Sequence, residues 1–275
     1  MGSHYNEALK SVSEFFFLYL LLGAAAGLLA GLFGIGGGVV LVPFLAWIYP
    51  DQGIPANMVM LVAIATSLAT IIFTSLASVS AHHRLGAIRW VIVLRLAPTI
   101  LVGSLAGSLL TQHLDSSELK IIFGIFLTIV SIQTGLQIKP RKQTLVLDKW
   151  LAALAGIVIG GCSSLLGIGG GTLTVPFLLK CRQPIHNAVA ISSACGLPIA
   201  VSGTISYIIL GWNETQMPAW SLGYIYGPAF AGIVTSSMVF APIGARLAHR
   251  LPTDRLKRLF AVFLFIIGCK LLVHT

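Results

Sequence analysis

Long apolar runs separated by short polar connections fill the chain, and six of them, at 55–81, 90–112, 119–138, 186–210, 222–249 and 256–272, predict plain helices. Each is long enough to cross the roughly 30 Å hydrocarbon layer, which takes about 20 apolar residues. Two further runs, 15–49 and 149–180, are interrupted by glycine. As one helix the first would be roughly 52 Å long at 1.5 Å per residue. That is too long for one crossing and short for two, so each broken run predicts a hairpin that dips into the membrane and returns.

The broken runs also reveal a repeat. Residues 32–45 read LFGIGGGVVLVPFL and 165–178 read LLGIGGGTLTVPFL, with Gly34/Gly167 and Pro43/Pro176 both 133 residues apart. VAIATS at 62–67 answers VAISSA at 189–194, and Leu114, Leu119, Lys120, Phe123 and Leu127 answer Leu251, Leu256, Lys257, Phe260 and Leu264. The expected organisation is an N-terminal tail (1–14), a first transmembrane repeat (15–138), a basic cytoplasmic linker (139–148) and a second transmembrane repeat (149–275). Met1 to His4 read as an expression leader and are left out, and no cleavable signal is expected.

Basic residues decide the topology. If each broken run crossed once, lysine and arginine would divide eight against eight between the two faces, with Arg95 omitted because it lies inside a span. If each returns to its own side, thirteen share one face and only Lys10, Lys120 and Lys270 lie opposite, as the excess of cytoplasmic bases requires. Three crossings plus a hairpin is an odd number of passages, so the second half enters from the opposite face. The predicted fold is an all-α polytopic membrane protein of two inverted repeats, each a broken re-entrant helical hairpin plus three transmembrane helices.

Composition agrees. Of 275 residues 56% are apolar and 9% charged, where a soluble domain carries about 25% charged residues; an ordinary soluble enzyme is excluded. The formal charge of +9 sits in short connections, so no nucleic-acid partner is expected. Four cysteines, Cys162, Cys181, Cys195 and Cys269, show neither metal-site nor disulfide spacing, and no metal or cofactor is expected. Trp47, Trp90, Trp150, Trp212 and Trp220 fall at run ends, as an aromatic belt would place them, and His82, His83, His113, His186 and His249 sit near span ends as interfacial residues.

The candidate chemistry lies in the glycine breaks. Irregular backbone at membrane depth survives only when buried in protein or lining a wet cavity. The segments after each break could begin short helices, whose free amides and positive dipole ends attract anions. The candidate solute-binding residues are Gly36, Gly37, Gly38, Val39 and Ser67 from the first half and Gly169, Gly170, Gly171, Thr172, Ser192 and Ser193 from the second. Thr66, Thr70, Ser163, Ser164, Thr174 and Cys195 are further polar candidates, although hydroxyls in helices often bond to their own i−4 carbonyl. Arg95 is a candidate with two readings, solute contact or snorkelling to the surface. Gly23, Gly27 and Gly31, four apart, predict close helix packing. All eight acids lie in termini, loops or span ends, so the interior favours an anion. Outward movement of an anion from a negative cell gains about 2.3 kcal/mol per charge per 100 mV and needs no co-ion.

The doubled G-x-G-G-G-x(4)-P pattern, Gly34, Gly36, Gly37, Gly38, Pro43 and Gly167, Gly169, Gly170, Gly171, Pro176, resembles the TauE/SafE family, the toluene sulfonate uptake permeases, over residues 15–272. The resemblance implies a multi-pass permease of the bacterial inner membrane that moves sulfite or a small organosulfonate such as sulfoacetate, often outward. A passive anion channel and an uptake permease for another anion remain open alternatives. An intramembrane enzyme lacks a buried acid pair, a Ser/His arrangement or an HExxH motif. The expected partners are a small anionic solute and the lipid bilayer, with a homodimer left open.

Overall fold

The computed structural model describes residues 2–34, 36–135, 148–248 and 253–273, with side chains from 15–34, 36–135, 148–248 and 261–273. Most of the linker expected at 139–148 lies outside the described residues. Among the described residues ten α-helices follow in order: α1 (Gly2–Phe33), α2 (Gly38–Ile48), α3 (Val59–Arg84), α4 (Trp90–Leu110), α5 (Ser116–Gly135), α6 (Lys149–Leu166), α7 (Gly171–Lys180), α8 (Ile185–Leu210), α9 (Gly227–Ala248) and α10 (Thr253–Val273). Seven of these helices are, among the described residues, long and apolar enough to cross a membrane. The chain is therefore a mostly helical, multi-pass membrane protein. The backbone of α1 starts at Gly2, so the expected tail and the first apolar run share one helix.

Both expected breaks occur. The first separates α1 from α2 and the second α6 from α7, and each ends on an N-cap glycine in the left-handed region, Gly37 at φ 79° and Gly170 at φ 75°. A side chain strains there, which is why glycine stands at both positions. At the end of α6 the amides of Gly167 and Ile168 return to the carbonyls of Ser164 and Ser163, a glycine cap that closes the helix.

Contacts between the helices set their directions. Gly23, Gly27 and Gly31 of α1 meet, in turn, Ile233 and Ser236, Ser237, and Ala241 and Ala245 of α9, so these helices run parallel and the expected small-residue seam is present. Helices α4 and α6 also run parallel: Gly156 faces Thr99, and Gly160 faces Ile100 and Ser104. By contrast α3 and α8 are antiparallel, with Ser78 at Ser193, Ser75 at Gly196 and Leu68 at Gly203. Helices α5 and α10 are antiparallel too, since Gly124 meets Leu272 and Gly135 meets Ala261.

Contacts at the helix ends give the courses of α2 and α7. Tyr49, just past α2, packs edge-on to Tyr226 at 5.8 Å between ring centroids, and Tyr226 directly precedes α9. The end of α2 thus returns to the end at which the parallel pair α1 and α9 begins. In the second half Asn187, at the start of α8, donates to the Ala87 carbonyl beyond α3 at 2.7 Å. Because α4 and α6 start at that same end, α7 brings the chain back to the level where α6 began.

Two expectations need amendment. The run at 222–249 is helical only from Gly227; before it, β1 (Ser221–Leu222) and β2 (Ile225–Tyr226) form a minimal antiparallel hairpin. Gly223 at φ 56° makes that turn, and the Tyr226 amide is committed to Thr66 Oγ1 at 3.1 Å. His82, expected at the interface, is fully buried, because it lies on the inward face of the last turn of α3, whose other face carries the exposed His83 and Arg84. His83 behaves as expected, accepting from Trp90 Nε1 at 3.3 Å, and all five tryptophans are exposed at element ends.

Candidate solute site at the glycine breaks

The two breaks meet at the centre of the bundle with backbone against backbone. A Cβ added to Gly36 would lie 2.6 Å from the Cα of Gly169, and one added to Gly38 would collide with the Gly167 carbonyl. Glycine is required here for a second reason beyond its φ: nothing larger allows this approach.

Two serines tie each break to the opposite half. Ser67 Oγ of α3 donates to the Gly167 carbonyl at 2.8 Å, and Ser192 Oγ of α8 donates to the Gly34 carbonyl at 3.0 Å. The backbone contacts are reciprocal as well: Gly167 lies against Ile64, and Gly34 against Val189. Both the serine pair and this apolar pair are 125 residues apart, so the structural register of α3 with α8 differs by two residues from the match of VAIATS with VAISSA. Packing around the breaks, and not local sequence likeness, fixes the equivalence.

Each break points a helix N-terminus inward. In α2 the amides of Val40 and Leu41 bond to the Gly37 carbonyl, and in α7 those of Leu173 and Thr174 bond to the Gly170 carbonyl. The amides of Gly38, Val39, Gly171 and Thr172 precede these first intrahelical bonds, which leaves them as the orphan donors of the helix ends. Val39 is wholly buried and Thr172 nearly so.

The other candidates divide. Ser193 Oγ donates to its own Val189 carbonyl at 3.1 Å and accepts from Ser78 at 3.3 Å. Thr70 bonds to the Ser67 carbonyl at 2.7 Å. Arg95 is exposed on α4 and is not brought to the breaks. A narrow gap lies beside Gly34, Gly36 and Gly169, walled by Thr74, Ser75, Ser78 and Ser193, and it has no room for a water molecule. Sequence reasoning missed Thr74, Ser75 and Ser78. The signal was present as hydroxyls at 70, 74 and 78, one per turn along α3. A larger cavity of about 570 Å³ lies elsewhere, between α2, α5 and α10, and holds Lys120 and Lys270.

The chain is similar over most of its length to known membrane proteins. A family model described as sulfite exporter TauE/SafE matches residues 19–271. A probable membrane transporter protein of Haemophilus influenzae is 40% identical over 255 residues, covering 92% of this chain and 97% of its own length. One from Methanocaldococcus jannaschii is 30% identical, with 94% of this chain and 98% of the relative covered. The probable membrane transporter protein YunE of Bacillus subtilis is 27% identical, with 94% and 97% covered.

Proposed function

The chain belongs to the sulfite exporter TauE/SafE family of membrane transporters, and from that premise we propose that it is a secondary transporter for a small anion bound between the two glycine breaks. The observation that carries this reading is the convergence of the α2 and α7 N-termini on one buried point, joined by the reciprocal bonds of Ser67 and Ser192. Orphan amides and positive dipole ends hold an anion without a buried side-chain charge. The solute class favoured by the family description is sulfite or a small organosulfonate such as sulfoacetate.

In this reading the halves form an inverted repeat, supported by the antiparallel courses of the related helices α3 and α8 and of α5 and α10. Each broken pair is then a re-entrant hairpin. Arg84, Arg89, Lys149, Lys180, Arg182 and Arg246 share one face, with Lys120 and Lys270 on the other, so the basic face is cytoplasmic. The setting is a bacterial inner membrane. With every acid at a span end, in a loop or in a terminus, none at mid-membrane carries a coupling proton or sodium ion, and export runs down the membrane potential.

A gap too narrow for water favours alternating access over a standing pore. Counterflow in proteoliposomes tests this: solute on the trans side accelerates exchange in a carrier and has no such effect in a channel. Gly37→Ala and Gly170→Ala variants that fold and transport normally would refute the site.

A further inference from the structure

The two breaks are alike in backbone and unlike in side-chain chemistry. Hydroxyls within the helices mostly find a carbonyl, as Thr70, Thr74, Ser108 and Thr128 do. Those of Ser163, Ser164 and Thr174 do not: all three residues are fully buried and their oxygens have no hydrogen-bond partner. A buried hydroxyl left unpaired is costly. At the matching positions of the first half stand Ala30, Gly31 and Leu41, so the feature belongs to the second break alone.

Two of these hydroxyls flank the N-terminus of α7, and Ser164 follows Ser163 on α6 and lies against α8 at Gly203. Ser163 Oγ lies 3.4 Å and Thr174 Oγ1 3.5 Å from the point where a Cβ would sit on Gly170, the N-cap residue. The nearby carbonyls are already engaged, since that of Ser163 accepts from the Ile168 amide and that of Ser164 from the Gly167 amide and Tyr207 Oη. The spare groups are therefore hydroxyls, each with one O–H to donate to an oxyanion at the positive end of α7. An apolar side chain stands beside the hydroxyls at each place: Ile199 Cδ1 is 2.5 Å from the Gly170 point, and at the corresponding point on Gly203, one turn further along α8 from Ile199, Leu68 Cδ1 is at 2.8 Å and Ser164 Oγ at 3.1 Å. By the 125-residue register, Leu68 and Ile199 stand where Ser193 and Thr74 stand around the first break, and there the two polar residues wall the gap.

We propose that Ser163, Ser164 and Thr174 are a hydrogen-bond donor subsite for the oxyanion on the α7 side, and that Leu68 and Ile199 plug this subsite when solute is absent. The inference rests on the reading of the breaks as an anion site and assigns that site an asymmetric chemistry. Solute entering from this side displaces the two apolar side chains and satisfies three orphaned hydroxyls at once.

The test is binding of sulfite and of sulfoacetate to the full chain in detergent, with sodium varied separately. Thr174→Val and Ser163→Ala each weaken anion binding about ten-fold, the equivalent of one hydrogen bond to a charged group. Both leave the melting temperature of the solute-free protein unchanged or raised, since an unpaired group has been removed. Thr174→Ser restores binding, and Leu41→Thr in the first half leaves it unchanged. Wild-type affinity in both Thr174→Val and Ser163→Ala overturns the subsite; if Gly170→Ala still abolishes binding in that case, the anion site itself stands. A wild-type protein that binds neither anion overturns both. An effect of Thr174→Val seen only through sodium dependence makes the cluster a cation site and also overturns the proposal.

Discussion

Ser67 of α3 donates a 2.8 Å hydrogen bond to the carbonyl of Gly167, 100 residues away in the chain and at the head of the second break. The bond holds an irregular backbone group that has no partner within its own helix and no access to water. Its loss exposes that carbonyl to an apolar interior. Ser67→Ala therefore lowers stability by about 1 kcal/mol, in the range found for hydrogen bonds between membrane helices. Unfolding of the detergent-solubilised protein measures this, and an unchanged midpoint removes Ser67 from the support of the break.

Glycine positions with similar φ differ in their response to a methyl group. Gly36→Ala places a Cβ 2.6 Å from the Gly169 Cα, whereas Gly86 has open space around it. Both pay the left-handed strain of about 1–3 kcal/mol, and only Gly36→Ala must also separate two backbones. The expected outcome is a folded Gly86→Ala variant and a Gly36→Ala variant that fails to give a monodisperse species by size exclusion. Equal yields would show that the breaks are not in contact.

The α4–α6 seam gives a separate check on the fold. A Cβ on Gly107 would collide with the Gly161 carbonyl and one on Gly103 with that of Ile157. Gly107→Val is expected to cost about 1–3 kcal/mol through overpacking, read as a lower melting temperature with solute affinity retained in the folded fraction. A rise in stability would mean that the helices do not approach this closely.

Topology is tested by accessibility of introduced cysteines to an impermeant maleimide, after replacement of the four native ones. Arg89→Cys and Arg182→Cys label from one side of sealed vesicles and Lys120→Cys from the other. Labelling of Arg182→Cys and Lys120→Cys from the same side contradicts the returning hairpins.

Much of this protein is legible in its sequence because lipid is a demanding solvent. A chain in hydrocarbon must satisfy its backbone within helices, so run length alone located the helices, as 90–112 against Trp90–Leu110 and 186–210 against Ile185–Leu210 illustrate. The doubled glycine motif marked both breaks because φ near +75° strains any residue that carries a side chain. The count of bases predicts a common face for the basic loops, because orientation is set by charge in the loops.

Tertiary packing decided what periodicity carries no record of. Which carbonyl Ser67 or Ser192 reaches and the register of α3 with α8 depend on contacts between segments 100 residues or more apart. The same holds for the unequal walls of the two breaks, where Thr74 and Ser193 border a gap and Ile199 and Leu68 stand at the matching positions. Sequence specifies where a helix must stop, since that is a property of the local backbone; what the freed backbone then meets is set by neighbours that only the folded chain brings together.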